Sequence, residues 1–154
     1  MKILVLSDSH RSLGAMLDAV DAEKPDAVIH LGDHITDAEE LRYVYDKLPV
    51  CAVAGNCDYA PEAREELVTE YAGVRFFLTH GHRYGVKSGT EALRAAAVRC
   101  GAQVVLFGHT HIPFSEEQDG LWLMNPGACG YGRCSYGIVE VRDGRAFCRV
   151  VRPE

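Results

Sequence analysis

The chain has 154 residues, 47% of them hydrophobic and 25% charged, the proportions of an ordinary globular domain that buries about 68–70% of its unfolded surface. Its net charge of −6 argues against a long nucleic acid as a sequence-independent partner, because such binding depends on Lys and Arg neutralising phosphates. No run approaches the roughly 18 apolar residues of a membrane span, and the first residues do not read as a signal peptide. A cytoplasmic location is therefore expected, with the six cysteines reduced and mostly serving as small core hydrophobes.

Met1–Leu6 is a β-branched and leucine-rich run, the pattern of a strand covered on both faces. It ends in the polar loop Ser7-Asp8-Ser9-His10. Leu13, Met16, Leu17 and Val20 follow at helical spacing and predict a helix with Ser12 as its N-cap and Pro25 beyond its end. Ala27–Leu31 predicts a second strand, closed by Gly32-Asp33. Thr36-Asp37-Ala38-Glu39 has capping-box spacing and opens a second helix, whose apolar face uses Leu41, Val44 and Leu48 before Pro49 stops it. Val50–Ala54 predicts a third strand, closed by Gly55-Asn56-Cys57-Asp58. Repeated strand, loop and helix imply right-handed crossovers and a parallel sheet.

After residue 60 the pattern changes. Leu67–Tyr71 and Val74–Thr79 flank Ala72-Gly73 and predict a hairpin ending in His80-Gly81-His82. An Ala-rich helix over 90–100, with Gly101 as C-cap, precedes the apolar run Val104–Phe107 and then Gly108-His109-Thr110-His111. Asp119-Gly120 and Asp143-Gly144, each between apolar segments, predict two hairpins and an antiparallel tail. The expectation is one α/β domain over residues 1–154, a four-layer αββα sandwich of two mixed β-sheets flanked by helices.

Ligand-capable side chains recur at the strand ends. Asp8 and His10 follow the first strand, Asp33 the second, Asn56 the third, His80 the hairpin, and His109 with His111 the last apolar run. Residues i and i+2 of an extended backbone share a side, so His109 and His111 can lean into one cavity. The carboxyl ends of parallel strands converge on a single rim, where such sheets bind ligands. Two carboxylates, one amide and four imidazoles exceed the needs of one ion; they suit two ions sharing a carboxylate, about 3.5–4 Å apart. Taken singly, Asp8, Asp33 and Asn56 read as turn residues and His80 as a structural histidine. Their joint placement at successive strand ends sets them apart. His30, within a buried strand, reads as structural. A mixed His/Asp/Asn shell favours manganese, with nickel, iron and zinc as alternatives.

In order, Asp8-Ser9-His10, Gly32-Asp33, Gly55-Asn56-Cys57-Asp58, His80-Gly81-His82 and Gly108-His109-Thr110-His111 resemble the five signature blocks of the calcineurin-like metallophosphoesterases. The short length, the Gly55–Asp58 block and the stretch Thr79–Gly85 resemble its small bacterial and archaeal phosphodiesterase branch, the YfcE/MJ0936-like group. Asn125-Pro126-Gly127 in the tail also fits that branch. The resemblance implies a ββ sandwich flanked by helices, with Asp8, His10 and His111 on a first metal, Asn56, His80 and His109 on a second, and Asp33 bridging both. It implies hydrolysis of a small phosphodiester by a shared, metal-activated water, with Asp33, Asn56 and His109 central to catalysis.

The block Gly55–Asp58 departs from the family, many members of which carry histidine where this chain has Cys57. That histidine's proposed role on the leaving group or phosphate does not transfer to a thiol. His82, His34 and Arg83 are further candidates near the rim without an assigned role. The alternative function is a non-catalytic scaffold of the same fold, like the family's retromer subunit. A DNA nuclease is disfavoured, since neither a basic surface nor an added DNA-binding region is present. Small relatives often self-associate through exposed sheet edges, which leaves room for a homo-oligomer.

Overall fold

The computed structural model describes residues 1–130 and 134–154. In chain order its elements are β1 (Lys2–Leu6), α1 (Leu13–Glu23), β2 (Ala27–His30), α2 (Thr36–Val44), β3 (Val50–Ala52), β4 (Glu66–Tyr71), β5 (Val74–Thr79), a 3₁₀ turn (His82–Tyr84), α3 (Glu91–Arg99), β6 (Val104–Leu106), β7 (Phe114–Gln118), β8 (Leu121–Asn125), β9 (Tyr136–Arg142) and β10 (Arg145–Val151). They form two five-stranded sheets, ordered β10-β9-β1-β2-β3 and β4-β5-β6-β8-β7. No helix among the described residues is long and apolar enough to cross a membrane.

The period of the strands fixes the layers. In β1, Ile3 and Val5 enter the core between the sheets, while Leu4 and Leu6 face Met16, Val20 and Leu41 of α1 and α2. In β5 and β6, Phe76, Leu78, Val104 and Leu106 enter the same central core, whereas Phe77 and Val105 pack on Leu93 and Ala97 of α3. Every such strand is covered twice, which is why it reads as continuously apolar. The result is helix, sheet, sheet, helix, as expected.

The expected parallel units are present: β1 pairs with β2 and β2 with β3 in parallel, joined through α1 and α2. Strands β5 and β6 are parallel partners joined through α3. The tail is antiparallel within its hairpins, but its strands join the two sheets in different senses. Strand β8 joins β6 in parallel and completes one sheet, while β9 lies antiparallel to β1 and completes the other. At both hairpin tips the two central residues have positive φ (Asp119 52°, Gly120 78°; Asp143 52°, Gly144 72°), the Asp-Gly type I′ geometry.

Helix ends differ in detail from expectation. Ser12 and Thr36 make no side-chain caps; α2 begins after Ile35 and its Asp37 is buried instead. Helix α2 also stops at Val44, which is exposed, and Leu48 reaches the core from the turn that follows. That turn is set by Arg42, whose guanidinium donates to Val50 O and ties the helix to β3. The third helix closes with Cys100 at the C-cap and Gly101 at φ +70° beyond it; Gly101 N–H donates to Val98 O and Ala102 N–H to Ala97 O, a Schellman motif. All six cysteines are free thiols; Cys129 and Cys148 are buried and Cys57 is exposed.

His30, fully buried at the end of β2, is structural as expected. Its Nδ1 accepts from Gly32 N–H at 3.2 Å, so Nε2 carries the proton and donates to Ser9 Oγ at 2.8 Å. The Ser9 hydroxyl then donates to Asp37 Oδ2 at 2.6 Å. Burial drives the His30 pKa down to about 4. The unfolded imidazole, with its ordinary value near 6.5, takes up a proton first, so stability falls as pH drops through the window from about 6.5 to about 4. The His30 share of that loss is roughly 3 kcal/mol. Urea midpoints measured from pH 7 to pH 4 should fall steeply in the parent chain and less steeply in His30→Gln.

Candidate metal centre

Each candidate ligand leaves its strand where the ladder ends. Asp8 is fixed at the end of β1, its backbone N–H bonded to Gly32 O at 3.0 Å. Its buried carboxylate accepts from Ser7 Oγ at 2.7 Å and from His109 N–H at 3.2 Å, and lies 3.1 Å from His111 Nε2. Two sheets therefore meet at Asp8, since β1 belongs to one and the residues after β6 to the other. Gly108 permits this approach: a Cβ there would stand 2.1 Å from Ser7 Oγ.

One oxygen or nitrogen from each of Asp8, His10, Asp33 and His111 falls within 4.8 Å of the others, a set able to hold a cation. His80 adjoins them. Its Nδ1 lies 2.8 Å from Leu31 O, a carbonyl that can only accept, so Nδ1 carries the proton and Nε2 keeps its lone pair. That Nε2 is buried, has no hydrogen-bond partner, and sits 3.5 Å from Asp33 Oδ1 and 3.8 Å from Asp8 Oδ1. Two buried carboxylates facing an imidazole lone pair are an acceptor-only arrangement that a cation relieves. The nitrogen and oxygen donor set suits a divalent transition ion.

His109 adjoins His80, their ring centroids 5.1 Å apart. Burial, His80 and the Lys87 ammonium, in that order, lower its pKa and favour the neutral form that can coordinate. Asn56 lies exposed after β3, its Nδ2 3.6 Å from Cys57 Sγ, while Cys57 N–H donates to Asp33 Oδ1 at 3.0 Å. Burial opposes ionisation of Asp33, yet that bond, beside the His80 and His10 rings, leaves its carboxyl below the usual range. Asp33 is thus ionised at neutral pH. Burial and the neighbouring Asp33 charge raise the Cys57 pKa, so it remains a thiol there.

Of the rim candidates, His34 stacks edge-on to His10 at 5.4 Å, and His82 lies 5.6 Å from His80 by ring centroids. The buried Nδ1 of His82 has no partner, and burial lowers its pKa. Arg83 pairs with Glu65 on the surface.

Residues that sequence reasoning passed over hold the loops in shape. Both oxygens of Asp58 accept two backbone N–H groups each: Oδ1 those of His34 and Ile35 at 2.7 and 2.9 Å, Oδ2 those of Asp33 and Gly55 at 2.9 and 2.8 Å. Asp37 takes Ser9 Oγ and Arg11 N–H, fixing the loop that carries His10. Asn125 Nδ2 donates to Gly108 O and Thr110 Oγ1, both at 2.9 Å, fixing the loop that carries His109 and His111. Asp58 closes the Gly55–Asp58 block, Asn125 stood out only as part of Asn125-Pro126-Gly127, and Asp37 only as part of a helix start; nothing local showed that they hold these loops.

Asp58→Asn turns one acceptor oxygen into a donor facing two N–H groups. It should cost about 2–4 kcal/mol of stability and weaken metal binding by roughly 10–100-fold. Denaturant titration and calorimetric Mn²⁺ titration of the folded variant check the two effects separately.

Residues 1–144 match the family model described as the calcineurin-like phosphoesterase superfamily domain. The probable metallophosphoesterase YsnB of Bacillus subtilis is 34% identical over 157 residues, covering 97% of this chain and 89% of that protein. The phosphodiesterase MJ0936 of Methanocaldococcus jannaschii is 30% identical over 161 residues, covering 91% and 93%. In fold alone, wild-type Vps29 of Entamoeba histolytica, crystallised with Zn²⁺, superposes with a TM-score of 0.76 at 23% identity over 99% of both chains.

Proposed function

Because this chain belongs to the calcineurin-like phosphoesterase superfamily, we propose that residues 1–154 form one metal-dependent phosphodiesterase domain whose rim holds two divalent ions. In this reading Asp8, His10 and His111 hold one ion, Asn56, His80 and His109 the other, and Asp33 serves both. When bound, such ions would polarise phosphoryl oxygens, make a nearby water more acidic and offset charge on the leaving oxygen. Manganese is the favoured occupant, with nickel, iron or zinc as alternatives. The observation that carries the reading is the His80 lone pair, buried without a partner between two buried carboxylates.

The chain's own groups have defined tasks. Leu31 O holds the His80 ring in the tautomer that offers Nε2. Asp33 is held ionised and anchored by the Cys57 N–H, so it is ready to share its two oxygens. His109, with its pKa lowered, offers a neutral ring beside the same cavity. Cys57, a thiol at neutral pH, is a weak proton donor, so diesters with good leaving groups are the favoured substrates. The net charge of −6 points to a small diester rather than a nucleic-acid polymer.

Chelation should abolish hydrolysis of bis(p-nitrophenyl) phosphate and Mn²⁺ should restore it. His109→Ala should lower kcat by about 10²-fold or more, since it removes a ligand rather than a distant contact. Full activity in the alanine variant overturns the ligand assignment. Bound metal by elemental analysis without any turnover would favour the scaffold alternative.

A further inference from the structure

Beside the metal centre lies a cleft of about 380 Å³ that the chemistry above leaves unused. It is lined by the apolar Val86, Phe107, Ile112 and Phe114 and by the polar Lys87, Thr90 and Thr110. Ile112 is 68% exposed and Phe114 36%, an unusual presentation of two large apolar side chains next to a polar rim. The Phe107 and Phe114 ring centroids lie 6.4 Å apart at a tilt of 57°, so the rings pack on each other, and the exposed side of Phe114 with Ile112 offers the apolar face.

The cleft adjoins the site across one loop. Thr110 stands between His109 and His111, and Phe107 precedes His109 by two residues, so the cleft opens within one residue of two candidate ligands. It is also preformed. Thr110 Oγ1 accepts from Asn125 Nδ2 at 2.9 Å and from Ile112 N–H at 3.2 Å, which fixes the loop that separates cleft from metal centre. Lys87 is exposed and lines the cleft, so that edge favours an anion.

An anion-favouring edge beside an apolar, aromatic-walled slot matches one kind of ligand. We infer that the cleft of Val86, Phe107, Ile112 and Phe114 binds an aromatic ester group of the phosphodiester, with Lys87 facing the phosphate side. The inference rests on the phosphodiesterase reading and narrows its substrate class to diesters carrying a planar apolar group. Phenyl or nucleobase rings fit, and short alkyl or glycerol groups leave the slot empty. A ring laid against the exposed Ile112 and Phe114 side chains exchanges water for apolar contact, whereas an alkyl ester gains almost nothing there.

The test compares monophenyl methylphosphonate with monomethyl methylphosphonate, stable anions that differ only in the group offered to the cleft. In calorimetric titrations of the Mn²⁺-loaded protein the phenyl probe should bind about 10-fold tighter, the scale of one partly buried ring. Ile112→Ser and Phe114→Ser should each reduce that ratio towards one; Ile112 is exposed, so its variant folds even if the Phe114 variant does not. Lys87→Gln should weaken both probes alike, by about 2–3-fold as for an exposed charge. Equal affinities in the parent chain, or a ratio unchanged in Ile112→Ser, overturn the inference. Turnover of bis(p-nitrophenyl) phosphate by the same preparations reports separately. Turnover with equal probe affinities removes the cleft alone, and a phenyl preference without turnover removes the phosphodiesterase reading alone.

Discussion

The structure is governed by the cost of the loops at the ends of its strands. Asp8, His10, Asp33, His109 and His111 all have positive φ, between 43° and 71°, in a region that costs a residue with a side chain on the order of 1–2 kcal/mol. Such a set persists only where the surroundings determine it several times over. Here they do: Asp58 gathers four backbone N–H groups, Asp37 holds the Ser9–Arg11 loop, and Asn125 holds Gly108 and Thr110. The strain lies beside the candidate ligands, where turning side chains inward against backbone preference has a purpose.

The two sheets supply the stiffness that these loops need. Strands β1, β2, β5 and β6 are covered on both faces by apolar side chains, so their ends cannot shift independently. The rim draws Asp8, His10 and Asp33 from one sheet and His80, His109 and His111 from the other. Its geometry therefore depends on how the sheets pack, and the direct bonds of Asp8 to the 109–111 loop lock that relation at the rim itself. The same loop, through Thr110, lies between the candidate metal centre and the apolar cleft.

Electrostatics follows from that packing. Burial opposes charge on both histidines and carboxylates, and its effect is uneven across the rim. His30, His82 and His109 are pushed towards the neutral ring, while Asp33 is kept ionised by a backbone N–H and neighbouring imidazoles. Neutral nitrogens facing an ionised carboxylate are what a divalent ion of intermediate softness requires. The Cys57 thiol, pushed upward beside the same carboxylate, stands apart from that set.

Much of this was written in the sequence because strand burial and turn chemistry are local. The unbroken run Ile3–Leu6, the helical spacing of Leu13, Met16 and Val20, and the Asp-Gly hairpin tips each carry their own structural instruction, and the placement of Asp8, Asp33, His80 and His109 after apolar runs marked the rim. Thr36 and Ser12 misled, since cap spacing does not decide where a helix begins or what else its side chains meet: α2 starts after Ile35, Glu39 pairs with Arg42, and Asp37 turns inward to Ser9. What only the tertiary structure decided is long-range. The tail divides its two hairpins between the sheets, Asn125 reaches back to the Gly108–Thr110 loop, Leu31 O fixes the His80 tautomer, and Phe107 meets Phe114 across a cleft. Those contacts join residues whose separation along the chain carries no periodic signal, so they come into being only when two sheets close on one core.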